Sequence, residues 1–279
     1  MNTRHFVLLA SFLLFGHVVA GADVVPADFQ QVLLPIAGTG MVPGAFGSQW
    51  TNDFWIFNNS SDKAVIFADT TNCQLAPSGS PCILTWSVPP NSQSHGDFQG
   101  GLPGDPPGLL LYIAKANAAS ATLNLRVQDV SRQAQTWGTQ LPVVREQEFR
   151  VDRIEMVNVP LDERFRQTLR IYDPDAHEHV SFRVRIFDTT SAARGVDQSG
   201  GIMLVDAVLD AQPGRTYRAN FPRVPSVAQL SNFVQGFPEL RTADRVRIEV
   251  EPVTQGIRFW AFVSITNDET QHVTTITPQ

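Results

Sequence analysis

Cysteine is scarce in this chain, which contains only two, Cys73 and Cys82. Neither has a histidine close by or a second cysteine at the spacing of zinc-binding or thioredoxin-like motifs, so the pair does not indicate a metal or redox centre. The residues between them are turn-forming, and two such cysteines pair in an oxidising compartment. We therefore predict a Cys73–Cys82 disulfide that closes a loop.

Basic residues are also in short supply. The 21 Lys and Arg residues are outnumbered by 27 Asp and Glu residues, and the net charge is −6. Because neutralising phosphates requires a surplus of basic side chains, this balance argues against nucleic acid as a partner. The sequence also lacks a glycine-rich phosphate-binding loop after a strand and the GxSxG motif of serine hydrolases. We therefore predict no cofactor.

Only one long apolar run is present, Phe6–Val19, which follows Arg4 and precedes the small residues Ala20–Ala22. A transmembrane helix needs about 20 apolar residues. The shorter run and its flanks are typical of a secretory signal peptide covering residues 1–22. We predict that the mature chain is exported, either secreted or periplasmic, and has no transmembrane segment. An uncleaved N-terminal anchor is the alternative.

Amphipathic helical patterns are missing after this run. Apolar residues instead alternate in short segments, as in Val180–Ile186, and turn-forming residues separate the segments. Many short alternating segments with frequent turns are typical of an all-β fold with antiparallel sheets. Two strand pairs are expected between chain neighbours, Trp50–Phe57 with Lys63–Ala68 and Leu109–Ala114 with Ala121–Val127.

A degenerate internal repeat indicates how the strands are grouped. The segment Trp50–Ser61 aligns with Phe165–Asp175. The alignment pairs Phe54 with Leu169, Ile56 with Ile171, Trp55 with Arg170, Phe57 with Tyr172 and Asn58 with Asp173. The first half of the chain is also more sparsely charged than the second. We predict two tandem antiparallel β-sandwich (Ig-like) modules, residues 23–144 and 145–279.

Five segments carry a resemblance to a known family. They are Trp50–Asn59, Phe165–Pro174, the turns Pro89–Asn91 and Gln212–Gly214, and Phe259–Thr270. These segments resemble the framework motifs of an uncharacterised family of exported bacterial tandem β-sandwich proteins with no known activity. The chain departs from the family pattern at Asn52 and at Arg166-Gln167, where the family favours Arg-Thr pairs. The resemblance implies the fold and supplies no catalytic residue.

Candidate catalytic residues fall into two groups, and neither has the arrangement that catalysis needs. Ser92, Ser94, His95 and Asp97 are close in sequence, whereas the members of a catalytic triad converge from separate elements. Glu249 and Glu251 alternate with apolar residues as on the solvated face of a strand, and Asp268 and Glu269 are the other two candidate carboxylates. Spacing alone does not place two carboxyl groups across a cleft. We therefore predict that the protein is not an enzyme.

The densest group of metal-capable residues is Asp173, Asp175, His177 and His179. Two histidines on one strand face can chelate zinc or copper. However, Asp-Pro-Asp is a turn signature, and the matching stretch of the first repeat is an ordinary polar turn. We predict a turn without metal, with a metal site as the weaker alternative.

The remaining candidates are the aromatic residues Trp55, Phe57 and Trp86. Trp55 and Phe57 alternate with the predicted core residues of their strand, so they lie on its other face. We expect packing between the two modules, or else the Gly38–Gly47 loop, to cover them, with the packing as the preferred explanation. The predicted function is a non-catalytic binding, adhesion or structural role at the cell envelope, with a cell-surface protein or a glycan as partner. The alternatives are a carbohydrate-binding module that uses exposed aromatics and, with no supporting arrangement, a hydrolase.

Overall fold

The computed structural model describes residues 28–36, 41–69, 84–96, 108–132, 137–190, 201–212 and 225–279. The predicted signal peptide and the Cys73–Cys82 pair lie outside these residues. The described strands are β1 (Phe29–Pro35), β2 (Val42–Pro43), β3 (Gln49–Asn58), β4 (Val65–Asp69), β5 (Leu84–Val88), β6 (Gln93–Gly96), β7 (Gly108–Ala114), β8 (Ala121–Asp129), β9 (Thr139–Leu141), β10 (Val144–Arg145), β11 (Ile154–Pro160), β12 (Phe165–Asp173), β13 (Ser181–Asp188), β14 (Ile202–Asp210), β15 (Ser226–Ser231), β16 (Arg245–Pro252), β17 (Trp260–Asn267) and β18 (Val273–Ile276).

The strands form four sheets. Sheet A has the order β10-β1-β7-β4-β5, sheet B the order β2-β3-β8-β9 with β6 also paired to β3, sheet C the order β11-β16-β13-β14, and sheet D the order β15-β12-β17-β18. Every pairing between these strands is antiparallel. The prediction of an all-β, antiparallel fold is confirmed. Within the described ranges, no helix is both long and apolar enough to cross a bilayer.

The strand orders repeat. The order β1-β7-β4-β5 in sheet A corresponds to β11-β16-β13-β14 in sheet C, and β6-β3-β8-β9 in sheet B corresponds to β15-β12-β17-β18 in sheet D. The aligned residues Phe54 and Leu169 are both buried in apolar cores, as are Ile56 and Ile171. The strand alignment drawn from the sequence is therefore correct at its core positions. The predicted boundary after Val144 falls inside β10.

Each pair of sheets encloses its own apolar core. Phe54 and Ile56 of sheet B meet Leu109 and Leu111 of sheet A, and the equivalent cluster joins sheets C and D. Side chains alternate between the faces of a strand, so one face of each sheet supplies the core. The opposite faces of sheets A and D also meet. We call this third cluster the A–D contact; it contains Leu33, Leu110, Val144, Phe149, Tyr172, Val227, Trp260 and Phe262.

The A–D contact explains the composition of the strands that form it. Strand β7 has the sequence GLLLYIA, and its residues from Gly108 to Ile113 are all buried. A strand buried on both faces reads as a continuous apolar run, whereas a half-buried strand alternates. At the centre of the contact, the backbone N–H of Ile36 donates to the Tyr172 hydroxyl at 3.2 Å. Burial raises the pKa of Tyr172 to about 12.

Two predicted strand pairings are wrong. Strand β3 lies in sheet B and β4 in sheet A, and β7 lies in sheet A while β8 lies in sheet B. Each chain-adjacent pair therefore faces across the core. The physical reason is that each of these strands has an apolar face, and two such faces can bury each other only from opposite sheets.

Two further segments take a conformation that their own sequence does not determine. Gln93–Gly96 is polar but forms strand β6 and pairs with β3. The segment from Pro225 to Phe233 is mainly strand β15, and a single helical turn follows at Phe233–Gly236. In both cases the ladder with the neighbouring strand decides the conformation, because these short segments have no strong preference of their own.

Candidate functional site on the outer face of sheet B

Two aromatic side chains stand side by side on the outer face of sheet B. Trp55 is 38% exposed and Phe57 is 41% exposed, whereas Phe54 and Ile56, which alternate with them, are buried. The expectation that packing between the two halves covers Trp55 and Phe57 is wrong. The main apolar contact between the halves uses sheet A, on the other side of the core from this face. The described contacts of sheet B with the second half, Thr139 with Val273 and Phe46 with Arg166, do not involve either aromatic.

An Asp–His pair borders the indole on one side. Strand β6 places His95 directly opposite Trp55. The His95 and Trp55 ring centroids are 4.8 Å apart with the planes tilted by 54°. His95 Nε2 lies 3.0 Å from the Asp53 carboxylate. The imidazole therefore extends the aromatic surface from β3 to β6, and Asp53 fixes its orientation.

Polar side chains of β8 border the aromatic pair on the other side. Asn124 is opposite Trp55, Thr122 is opposite Phe57, and Arg126 is opposite Asp53. Directly opposite residues of antiparallel strands share a face. The side chains of Asn124 and Arg126 have no hydrogen-bond or ion-pair partner among the described residues. Their donors and acceptors are thus available to a ligand that rests on the aromatic rings.

The sequence interpretation missed Asp53, His95, Asn124 and Arg126 as members of this surface. A usable signal was present for β8, because Thr122, Asn124 and Arg126 alternate with the apolar residues Leu123, Leu125 and Val127. No comparable signal marked β6. The pairing of β6 with β3 is a tertiary feature that a polar four-residue segment does not reveal.

Trp86 belongs to another part of the fold. It lies on β5 of sheet A, where its backbone is in register with Phe67. Its side chain lies outside what the structure describes. Its position in sheet A separates it from the sheet that carries Trp55 and Phe57, so the three aromatics do not form one surface.

The Asp173 group forms a tightly bonded turn. The Asp173 carboxylate accepts hydrogen bonds from the backbone N–H of His177 at 2.6 Å and of Asp175 at 2.9 Å, and it contacts His177 Nδ1 at 2.9 Å. Burial raises the pKa of Asp173, against the effect of these hydrogen bonds. Asp175 binds Arg258 at 2.6 Å, and His179 is exposed.

The repeat partner of Asp173 has the same structural role. Asn58 Nδ2 donates to the backbone carbonyls of Lys63, Val88 and Pro89 at 2.8, 2.9 and 3.0 Å. Each aligned residue thus organises the turn after its strand. In the described part of the chain, no group of three or more His, Cys, Asp or Glu side chains is arranged to hold a metal ion.

The serine and histidine residues around β6 do not converge. Ser92 Oγ donates to the Pro89 carbonyl at 2.7 Å. Ser94 is in register with the core residue Ile56, whereas His95 faces outward beside Trp55. Asp97 lies outside the described residues. The histidine instead pairs with Asp53, which belongs to a different strand.

The candidate carboxylates of β16 belong to a ladder of ion pairs on the outer face of sheet C. Glu249 contacts Arg153, Arg185 and Arg247, and Glu251 contacts Arg185. Glu249 is only 5% exposed, so the interpretation of its position as solvated is wrong. The guanidinium groups cover it. Asp268 pairs with Arg166 near the start of β12, away from this ladder.

Comparison of the chain with protein-family models, characterised proteins and solved structures finds no match. The functional interpretation therefore depends on the geometry of the molecule itself.

Proposed function

We propose that this chain is an exported, non-catalytic binding protein of the cell envelope, built from two tandem Ig-like β-sandwich modules, whose outer face of sheet B binds a glycan. The repeated strand orders and the two separate cores support the modular organisation. The apolar run with its small-residue flank supports export. The framework motifs resemble those of exported bacterial tandem β-sandwich proteins.

The observation that carries the glycan proposal is the exposed Trp55–Phe57 pair with its polar surround. Residues two apart on a strand lie about 7 Å apart on the same face. The two rings thus form a short exposed strip along β3. Exposed aromatic patches bordered by polar groups mark interaction sites on soluble proteins.

The chemistry of this strip suits a saccharide. A sugar ring has an apolar face of C–H groups and a rim of hydroxyls. The C–H face can stack on the Trp55 and Phe57 rings, while Asn124 and Arg126 donate to the hydroxyls and Asp53 accepts from them. Binding on a preformed sheet requires little reordering of the protein, which favours affinity.

The test is a glycan array with the wild-type protein, followed by titration calorimetry with the oligosaccharides that bind. We expect Trp55→Ala and Phe57→Ala each to weaken binding by roughly 30-fold, which corresponds to about 2 kcal/mol for a buried aromatic anchor. Trp137→Ala is the matched control, because Trp137 is an 83% exposed tryptophan that does not belong to β3. Absence of binding by wild type, or an equal loss in the control, contradicts the proposal.

A protein partner at the same face is the second candidate. It is favoured by the repeat, because Phe57 aligns with Tyr172, and Tyr172 lies at the centre of the contact between sheets A and D. The two candidates separate by sedimentation. Self-association of wild type that Phe57→Ser abolishes, with no glycan bound, favours a second copy of the chain over a glycan.

A further inference from the structure

The outward face of sheet D has a polar half that the A–D contact does not use. Along β12, Thr168 and Arg170 share the face of Tyr172, because alternate residues of a strand point the same way. Thr168 is in register with Ser231 of β15 and Ser264 of β17, and Ser264 is in register with Thr275 of β18. One row of four hydroxyl side chains therefore crosses all four strands of sheet D.

Arg170 lies in the next row, opposite Gln229 of β15 on one side and Phe262 of the A–D contact on the other. Its Nη1 donates to Ser264 Oγ at 2.8 Å. Its Nε is buried without a hydrogen-bond partner, and no described carboxylate neutralises the guanidinium. Burial lowers the pKa of Arg170.

Two other arginines of this half, Arg166 and Arg258, each have a carboxylate partner. Arg166 pairs with Asp268 at 2.5 Å, and Arg258 pairs with Asp175 at 2.6 Å. A half-buried guanidinium without a counter-charge is unfavourable, because the lost hydration is not replaced by an opposite charge. Arg170 is thus a cation whose counter-ion the described residues do not supply.

The row is open to solvent at one end. Ser231 and the adjacent Gln229 are exposed, and Gln229 Nε2 donates to Ser231 Oγ at 2.6 Å. Ser264 is 6% exposed beside the guanidinium. Thr168 lies between Ser231 and Ser264 in this row, so the exposed end at β15 leads toward the guanidinium that Ser264 binds.

We propose that Arg170 and the hydroxyl row Thr168–Ser231–Ser264 form a binding site for a tetrahedral oxyanion group, a phosphate or sulfate, separate from the face of sheet B. A guanidinium offers several N–H donors in a fixed plane that matches such an anion, and hydroxyls donate to its remaining oxygens. The anion supplies the negative charge that Arg170 lacks. The proposal does not depend on the glycan function.

The test is thermal unfolding of the full chain in sodium phosphate, sodium sulfate and sodium acetate, each against sodium chloride at equal ionic strength. Phosphate and sulfate stabilise most proteins through preferential exclusion, so the readout is the difference between wild type and variant. We expect the Tm of wild type to rise with a saturating dependence on phosphate or sulfate, as for a bound ligand. For Arg170→Met we expect a Tm rise at least about 2 °C smaller.

Two more variants make the result decisive. Ser264→Ala keeps the cation and removes one hydroxyl, so we expect saturation at a higher anion concentration. Arg183→Met removes an exposed arginine on sheet C that pairs with Asp206, and we expect it to respond as wild type does. Equal stabilisation of wild type and Arg170→Met overturns the site. If Arg170→Met does not fold, an unshifted saturation point in Ser264→Ala overturns it. A saturating response to acetate alone overturns the tetrahedral class.

Discussion

Substituting Tyr172 with phenylalanine tests how the A–D contact is held together. Burial raises the pKa of Tyr172 to about 12 from its ordinary value of 10.0. The folded-state pKa therefore lies above that of the unfolded chain. The stabilisation from keeping the phenol neutral is fully present below pH 10.0 and is lost as the pH rises through about 12. At about 1.4 kcal/mol per tenfold change in the ionisation equilibrium, the loss is about 3 kcal/mol.

The variant changes stability in opposite directions at the two ends of this pH range. At neutral pH, Tyr172→Phe removes the acceptor of the Ile36 N–H, and we expect a cost of about 1–2 kcal/mol. At alkaline pH, the variant has no phenol at this position to ionise. Its stability therefore falls less steeply than that of wild type, and the two curves converge. Urea unfolding at a series of pH values from about 8 to 12 measures both effects.

Tyr112→Phe is the matched control. Tyr112 is also buried in sheet A, but its hydroxyl has no hydrogen-bond partner in the described ranges. Its removal is expected to leave stability at neutral pH unchanged or slightly higher. An alkaline loss in Tyr172→Phe as large as that of wild type refutes the reasoning, because it places the ionisation elsewhere. No cost at neutral pH shows that the Ile36 N–H finds another acceptor.

Two further predictions concern individual contacts. Glu249→Gln removes the carboxylate that three arginines share under a nearly closed surface, and we expect it to lower the free energy of unfolding by about 3 kcal/mol. Glu251→Gln, whose side chain is 33% exposed, is expected to change it by less than about 1 kcal/mol, and chemical denaturation of both variants makes the comparison. Gly201→Ala places a Cβ 2.2 Å from the Asp188 carbonyl oxygen at a φ of +90°, and we expect a loss of about 2–3 kcal/mol. Gly256→Ala shares the positive φ but meets no atom within 4 Å, so thermal unfolding is expected to show a loss of only about 1 kcal/mol. Equal effects within either pair contradict the structural reason given for it.

The sequence was informative wherever a local pattern decides the structure. Alternation identified the core residues Phe54, Ile56, Leu169 and Ile171, and the internal repeat identified equivalent strands. Pairing between strands that are distant in the chain is less evident from the sequence. Strand β6 has no apolar alternation, so its place beside β3 was not predictable. Proximity in the chain suggested that β3 pairs with β4 and β7 with β8. These strands instead lie in opposite sheets, because their apolar faces bury each other across the core.

The position of the candidate site was also only partly predictable. Alternation placed Trp55 and Phe57 on the face opposite the core, and that inference is correct. What covers that face depends on which sheet meets the other half of the chain. The relevant signal was the apolar run of β7, because a strand without a polar face requires a neighbour on each side. That run indicates that sheet A carries the main contact with the other half, which leaves Trp55 and Phe57 of sheet B exposed.

The internal repeat relates this exposed face of sheet B to the outward face of sheet D. Sheets B and D have equivalent strands, and their aligned outward residues differ: Trp55 aligns with Arg170, and Phe57 aligns with Tyr172. In sheet D, Tyr172 is buried in the A–D contact, while Arg170 beside it has no counter-charge among the described residues. In sheet B, the described residues leave both positions accessible. Core positions that match in character specify the shared fold, so the outward positions that differ are where the two halves can have different binding functions.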